Sequence, residues 1–297
     1  LNALGRVRWR VNAPALGAIE DAWARSLAIA DLPSRHDLEV PSSLPSEEMK
    51  VLRRAAETAR EATLAAAAEL AAARGAAATG DDPSDQLEAA ASDAETASTE
   101  ASKAYSREVR RRRLRRRTEQ RNAELHSLRC DTTLKLSIAR EFQDEGFHFP
   151  WNVDFRGRAY PLPPNLSHIG SDLCRGMLMF DETKPLGARG FEWLKVHLAN
   201  LYGHNKLTFA ERVAFVDEKI GEGALSDAAA RPLDGAGWWK EASEPWQALA
   251  TCMEIHNAMH DEAGDPTRHA SVLPVQMDGS CNGLQHYAAL GRDVEGA

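Results

Sequence analysis

The stretch of this chain with the plainest chemical content runs from Val272 to Gly291, VLPVQMDGSCNGLQHYAALG. Its apolar start, VLPVQM, predicts a buried strand. That strand delivers one carboxylate, Asp278, into the small residues Gly279, Ser280 and Gly283 before a helical pattern resumes. A lone Asp–Gly pair is ordinarily a turn whose acid hydrogen-bonds its own backbone. At a strand end beside glycine, the same acid also suits a metal ligand that leaves room for a bulky, phosphate-bearing substrate. Magnesium fits such a site, because one or two carboxylates plus substrate oxygens commonly hold it.

A second candidate is DFRGR, Asp154 to Arg158. If these residues are extended, Asp154, Arg156 and Arg158 share one face, and two guanidiniums beside an orienting acid suit a polyanion backbone. The bland alternative is a surface strand with an internal ion pair of little energetic weight. Gly157 favours the sharper reading, since glycine within a strand often marks close approach of a ligand. The third candidate is SREVRRRRLRRRTEQR. From Lys103 to Arg121 it carries ten basic residues against two acids, Glu108 and Glu119. Such a run is either a solvated helix face or a set of phosphate contacts made through the bidentate Arg fork. Arg110, Arg111, Arg113 and Arg117 are the candidates within it.

These residues need elements to hold them. Residues 11 to 30 carry a helical apolar pattern, and a Pro-punctuated stretch follows. From Ser46, a plausible N-cap before Glu47 and Glu48, strong helix formers dominate to about residue 74. Residues 75–98 are acidic and of low complexity, which predicts a mobile loop. The arginine-rich segment then continues as an amphipathic helix through Leu125, Leu136 and Phe142. Two long helices with a loose acidic tip would form an arm. After Gly146, FHFPWNVDFRGRAYPL predicts a strand or hairpin ending at Pro161. Phe191, Leu194, Leu198 and Leu201 predict a helix stopping at Gly203. Thr208 and Glu211 have capping-box spacing, and Pro245 suits the first turn of a further helix.

The chain has 297 residues, 43% of them hydrophobic, enough for a sizeable core and about two domains. Its net charge of −8 argues against a uniformly basic nucleic-acid coat. Cys130, Cys174, Cys252 and Cys281 lack CxxC spacing, so neither a zinc site nor a disulfide framework is indicated. No apolar run approaches the length of a membrane span. The chain starts at Leu1 and stops just past its best motif, so it reads as an internal fragment of a longer protein.

Taken together, these motifs resemble a family. PVQMDGSCNGLQ closely resembles the signature of phage-type single-subunit DNA-directed RNA polymerases, and DFRGRAYPLPPNLSHIGSDLCRG resembles a second stretch of that family with the core Asp-x-x-Gly-Arg. GRVRWRVN, WLKVHLANLYG, WWKEASEPWQALATCMEI and HYAALGRD match in the expected order. The resemblance covers nearly the whole chain except about residues 70–100. Its wording is closest to the organellar branch, as in plants and green algae.

The resemblance implies an α+β, predominantly helical fold: a right-hand polymerase thumb plus the first part of the palm. Residues 1–45 would end an N-terminal domain. Residues 46–145 would be the thumb helices, with an acidic insertion at about 75–98, and 146–297 the first palm segment. It implies that Asp278 is one of two catalytic carboxylates and, with the Gly279 carbonyl, binds the two magnesium ions of the intact enzyme. Arg158 and Arg156, oriented by Asp154, would contact the template and RNA–DNA hybrid; Gln285 and His286 read as scaffolding. Implied partners are a DNA template, the hybrid, nucleoside triphosphates and organellar transcription factors, with no membrane, in a mitochondrion or alternatively a chloroplast. The second aspartate and the nucleotide-binding fingers helix lie far downstream in the family, so the fragment alone is expected to be inactive. A non-catalytic nucleic-acid-binding remnant of such a polymerase is the alternative of a different class. A right-hand DNA polymerase is disfavoured by DFRGR and by Asn282-Gly283.

Overall fold

The computed structural model describes residues 1–76, 84–261, 264–277 and 282–294. In chain order the elements are α1 (Asn2–Gly5), β1 (Arg8–Val11), α2 (Ala13–Ala24), α3 (Ser46–Ala76) and α4 (Ser84–Glu141). Then come β2 (Phe147–His148), β3 (Trp151–Val153), β4 (Ala159–Pro161), α5 (Asp172–Gly176), β5 (Leu178–Phe180) and β6 (Lys184–Pro185). The chain continues with α6 (Gly187–Tyr202), α7 (Phe209–Gly221), α8 (Ala224–Ala230), α9 (Pro245–Met259), β7 (Ala270–Ser271) and α10 (Asn282–Gly291). The fold is α+β and mostly helical, with small antiparallel sheets. It divides into two compact units, Leu1–Arg35 with Leu128–Ala297, and His36–Ser127.

The first unit is organised around α9. Trp246, Leu249, Cys252 and Ile255 from this helix are fully buried, together with Leu198 of α6, Leu225 of α8 and Trp239. A three-stranded sheet, in the order β2-β1-β5, lies at its edge with Trp9 paired to both Phe147 and Phe180. The helix signals in the sequence hold. α6 ends at Gly203, whose φ of +113° is the left-handed conformation glycine tolerates. The Thr208–Glu211 capping box is formed, and Pro245 occupies the first turn of α9. One boundary moves: α3 starts at Ser46 itself, so Pro45 rather than Ser46 stands at its cap, its carbonyl accepting from the Met49 N–H at 3.1 Å. Cys130, Cys174 and Cys252 are not joined in disulfides.

His197 sits among the apolar side chains of α6, and burial lowers its pKa to about 4. The unfolded chain therefore binds a proton that the folded chain refuses. The neutral ring's stability is fully present above about pH 6.5 and is lost as pH falls toward about 4, to a total of roughly 3 kcal/mol. Urea titrations at pH 7 and 4.5 should show this loss, and His197→Leu should remove most of the pH dependence across that interval.

The second unit is an antiparallel pair made by α3 and the first part of α4. Thr63 donates to the Ala94 carbonyl at 2.9 Å, and Arg74 pairs with Glu88. Residues 84–98, expected as a mobile loop, are helical, while 77–83 lie outside the described residues. The reason is composition read in context. Alanine, glutamate and glutamine are good helix formers, and the neighbouring α3 supplies the packing that an isolated acidic segment lacks. An extended strap, residues 38–44, lies along α4. Asn122 both accepts from the Leu38 N–H (2.8 Å) and donates to the Leu38 carbonyl (2.9 Å), while Glu108 accepts from the Leu44 N–H at 2.7 Å.

Candidate nucleic-acid interface

DFRGR is not extended. β3 and β4 pair as a hairpin, with Val153 opposite Ala159, and DFRGR is its loop. The Gly157 N–H donates to the Asp154 carbonyl at 3.0 Å and the Asp154 N–H donates to the Arg158 carbonyl at 2.9 Å. Gly157 has φ +79°. This is a turn closed by a left-handed glycine, with Asp and Gly at the positions such turns favour. Gly157 is required by backbone conformation rather than by close approach, since a Cβ there would meet nothing within 4 Å. The two-residue alternation that placed both arginines on one face does not apply inside a turn.

Asp154 organises the loop nonetheless. Its Oδ1 accepts from the N–H groups of Arg156 and Arg158, both at 2.9 Å, and its Oδ2 accepts from Arg156 Nε (3.0 Å) and Nη2 (2.9 Å). The Arg158 N–H, foremost, and then the Arg156 side chain and N–H hold the carboxyl below its ordinary range. Arg156 is thus fixed against Asp154, with its guanidinium 5.5 Å from the Phe155 ring centroid, and Phe155 is 97% exposed. Arg158 is exposed, with only its backbone tied to Asp154. The loop presents one braced and one open cation beside a bare aromatic ring, a combination suited to phosphate and base or sugar contact.

Helix α4 sorts its basic run by angle. At about 100° per residue, Lys103, Arg107, Arg110, Arg113, Arg117 and Arg121 fall within an arc of about 120°. Arg111, Arg112 and Arg115 point to the other side, with buried Glu108. There Arg111 donates to Ser42 Oγ at 2.7 Å and faces Glu108 at 3.6 Å, Arg112 donates to the Leu44 carbonyl at 2.8 Å, and Arg115 pairs with Glu119 at 2.8 Å. So Arg110, Arg113 and Arg117 share an exposed stripe, and Arg111 holds the strap instead. Lys103 and Arg107, not singled out from the sequence, extend the stripe and line an open groove with Ser98, Thr99, Ser102 and Ser106. Their three- and four-residue spacing was the signal.

Asp278 and Gly279 lie outside the described residues, as do Ser280 and Cys281. The approach to them departs from expectation. VLPVQM is not a buried strand: β7 ends at Ser271, and Val275 and Met277 are 42% and 91% exposed. Pro274 has no N–H to give to a ladder. Val272 is engaged, its carbonyl accepting from the Phe180 N–H at 2.9 Å. The predicted helix after the signature is present as α10, with His286 exposed on it. Among the described residues no cluster of three metal-ligating side chains occurs, and no helix is long and apolar enough to cross a membrane.

The GSDLCRG segment does something the sequence did not disclose. Asp172 accepts from the N–H groups of Trp246 (2.7 Å) and Gln247 (3.1 Å) and from Gln247 Nε2 (3.0 Å), capping α9 from another element. Arg175 pairs with Glu244 at 2.8 Å in the same network. Burial pushes the Asp172 carboxyl up, with the Trp246 and Gln247 donors opposing it.

A family model described as DNA-dependent RNA polymerase matches residues 184–297. The whole chain is 40% identical over 300 residues to "DNA-directed RNA polymerase 1B, mitochondrial" of Nicotiana tabacum, of which it covers 24%. It is 40% identical over 296 residues to "DNA-directed RNA polymerase 3, chloroplastic" of Nicotiana sylvestris, covering 99% of this chain and 24% of that protein. Over 58% of the chain it is 56% identical to "DNA-directed RNA polymerase, mitochondrial" of Schizosaccharomyces pombe, covering 15% of that protein. The chain spans about a quarter of the length of the first two. The likeness to these organellar enzymes runs from end to end of the chain and takes in both motif stretches, with the family model matching its C-terminal part.

Proposed function

We propose that this chain is a segment of a single-subunit DNA-directed RNA polymerase that serves a mitochondrion, with a chloroplast as the alternative. The intact polypeptide synthesises RNA from nucleoside triphosphates on a DNA template. The observation that carries the reading is the end-to-end 40% identity to a polymerase of that description, combined with the Asp-Gly-Ser signature at Asp278. In this reading residues 1–45 close an N-terminal domain, 46–145 form the thumb and 146–297 begin the palm. Asp278, with the Gly279 carbonyl, holds magnesium. When bound, the ions supply the Lewis acid that activates the RNA 3′-hydroxyl and steadies the leaving pyrophosphate.

The chain's own described residues serve the nucleic acid. Arg110, Arg113 and Arg117, continued by Lys103 and Arg107, form a stripe that runs about 27 Å from Lys103 to Arg121 at 1.5 Å per residue. A stripe of that length suits the phosphate backbone of a DNA template or RNA–DNA hybrid rather than base-edge reading. Arg158, steadied through Asp154, and Arg156 offer a second contact. Arg111 belongs to the site only indirectly, by holding the strap that sets the face α4 presents. Organellar transcription factors remain candidate partners.

The experiment is a salt titration of hybrid binding by the full-length polypeptide. Every phosphate that a variant no longer neutralises should lower the slope of log K against log salt by about 0.9 for a duplex. Arg110→Ala, Arg113→Ala and Arg117→Ala together should flatten the slope by nearly three such steps, and Arg158→Ala by one. Arg111→Ala should leave the slope unchanged and lower stability instead. An unchanged slope in the triple variant would remove the stripe from the interface.

A further inference from the structure

The chain entering the Asp278 signature is tied to the first unit at residues 269–273. The His269 carbonyl accepts from the Leu186 N–H at 3.0 Å, Pro185 and Lys184 pair with Ala270 and Ser271, and the Val272 carbonyl accepts from the Phe180 N–H. At the head of this anchor stands a side-chain clamp. His269 Nδ1 lies 2.8 Å from Asp261 Oδ2, and its Nε2 lies 3.3 Å from Glu254 Oε1. The side chains of His269, Asp261 and Glu254 are 16%, 31% and 11% exposed. Each ring nitrogen of His269 thus faces one carboxylate oxygen, so the side chain bridges the two acids. The ring lies between the acids, so the three groups do not converge on a point and form no metal centre. The other histidines at this end of α9 are engaged elsewhere: His256 with Ser226 Oγ at 3.2 Å, and His260 with the His256 carbonyl at 2.8 Å.

The clamp ties Glu254 of α9, and Asp261 just past that helix, to the residue before β7. Beyond Leu273 the run becomes exposed at Val275 and Met277. The register of the anchor therefore decides where the chain leaves the body on its way to Asp278. We propose that His269 is a positioning residue for the polymerase site, bridging Glu254 and Asp261 so that residues 270–273 keep one register ahead of the Asp278 signature. This rests on the reading of Asp278 as the catalytic carboxylate.

The test uses the full-length polypeptide with His269→Phe, His269→Arg and the milder His269→Asn, beside Asp278→Asn. In metal-free H269F, amide exchange across residues 270–277 should accelerate at least about tenfold while the α6 and α9 amides keep their protection. kcat should fall about 10- to 100-fold with nucleotide KM nearly unchanged, the signature of a misplaced reacting group. H269R, whose planar fork can donate to both acids, should recover most of both losses. Wild-type exchange and kcat in H269F, with D278N inactive, would overturn the proposal. Loss of protection throughout the unit in both H269F and H269N would mark a general brace and overturn it equally. An active D278N would instead overturn the polymerase reading on which the proposal stands.

Discussion

Full-length protein carrying Asp278→Asn is expected to lose templated RNA synthesis by at least about a thousandfold while binding template DNA as the parent does. An amide keeps the shape of the carboxylate but not its charge. Metal stabilisation of developing charge amounts to several kcal/mol, and about 4 kcal/mol corresponds to a thousandfold in rate. DNA affinity should persist because the proposed contacts, the basic stripe and the DFRGR loop, are not touched by the substitution. Single-turnover extension of a primed hybrid, alongside a binding isotherm, separates the two quantities. Retained synthesis, or loss of folding, would make Asp278 the ordinary turn aspartate that an isolated Asp–Gly pair suggests.

Trp246→Ala is expected to destabilise the first unit by about 3–5 kcal/mol, the range for truncating a large buried aromatic. Trp246 is 1% exposed, packs 5.1 Å from the Trp239 ring, and donates its indole N–H to the Ala30 carbonyl at 2.8 Å. Truncation leaves a cavity and an unsatisfied carbonyl together. The packing around it is close: a Cβ added at Gly176 would meet the Trp246 backbone carbon and Cβ at 2.9 Å. The urea midpoint should fall with the m-value unchanged. Phe155→Ala, removing a ring that is 97% exposed, should stay within about 0.5 kcal/mol. A small effect at Trp246 would mean that the helix is held mainly by its polar cap, Asp172 and Arg175–Glu244.

Much of the local structure was legible because local rules decide it. The α6 stop at Gly203, the Thr208–Glu211 box, Pro245 in the first turn and the β3–β4 hairpin each depend on residues within a few positions of one another. DFRGR shows the limit of that reading. An aspartate three residues before a glycine is a turn signal as well as an alternating pattern, and the turn won because Asp154 satisfies two loop N–H groups that a strand would have left to a partner. Residues 84–98 show another limit, since low complexity was weighed without the helix that packs beside it.

By itself the sequence determined the resemblance to organellar polymerases: the motifs, their order and the candidate chemistry at Asp278, Asp154, Arg156 and Arg158 all lie along the chain. Only the tertiary structure decided which arginines of α4 face outward, because the strap held by Asn122, Glu108, Arg111 and Arg112 comes from about 65 to 85 residues upstream. It alone brought Asp172 to the N-terminus of α9, 74 residues away, and His269 between Glu254 and Asp261. Helix caps and turns are short-range and can be read from spacing. The face a helix presents, and the point at which a chain leaves the core, depend on partners distant in sequence, whose approach is settled only when the chain packs.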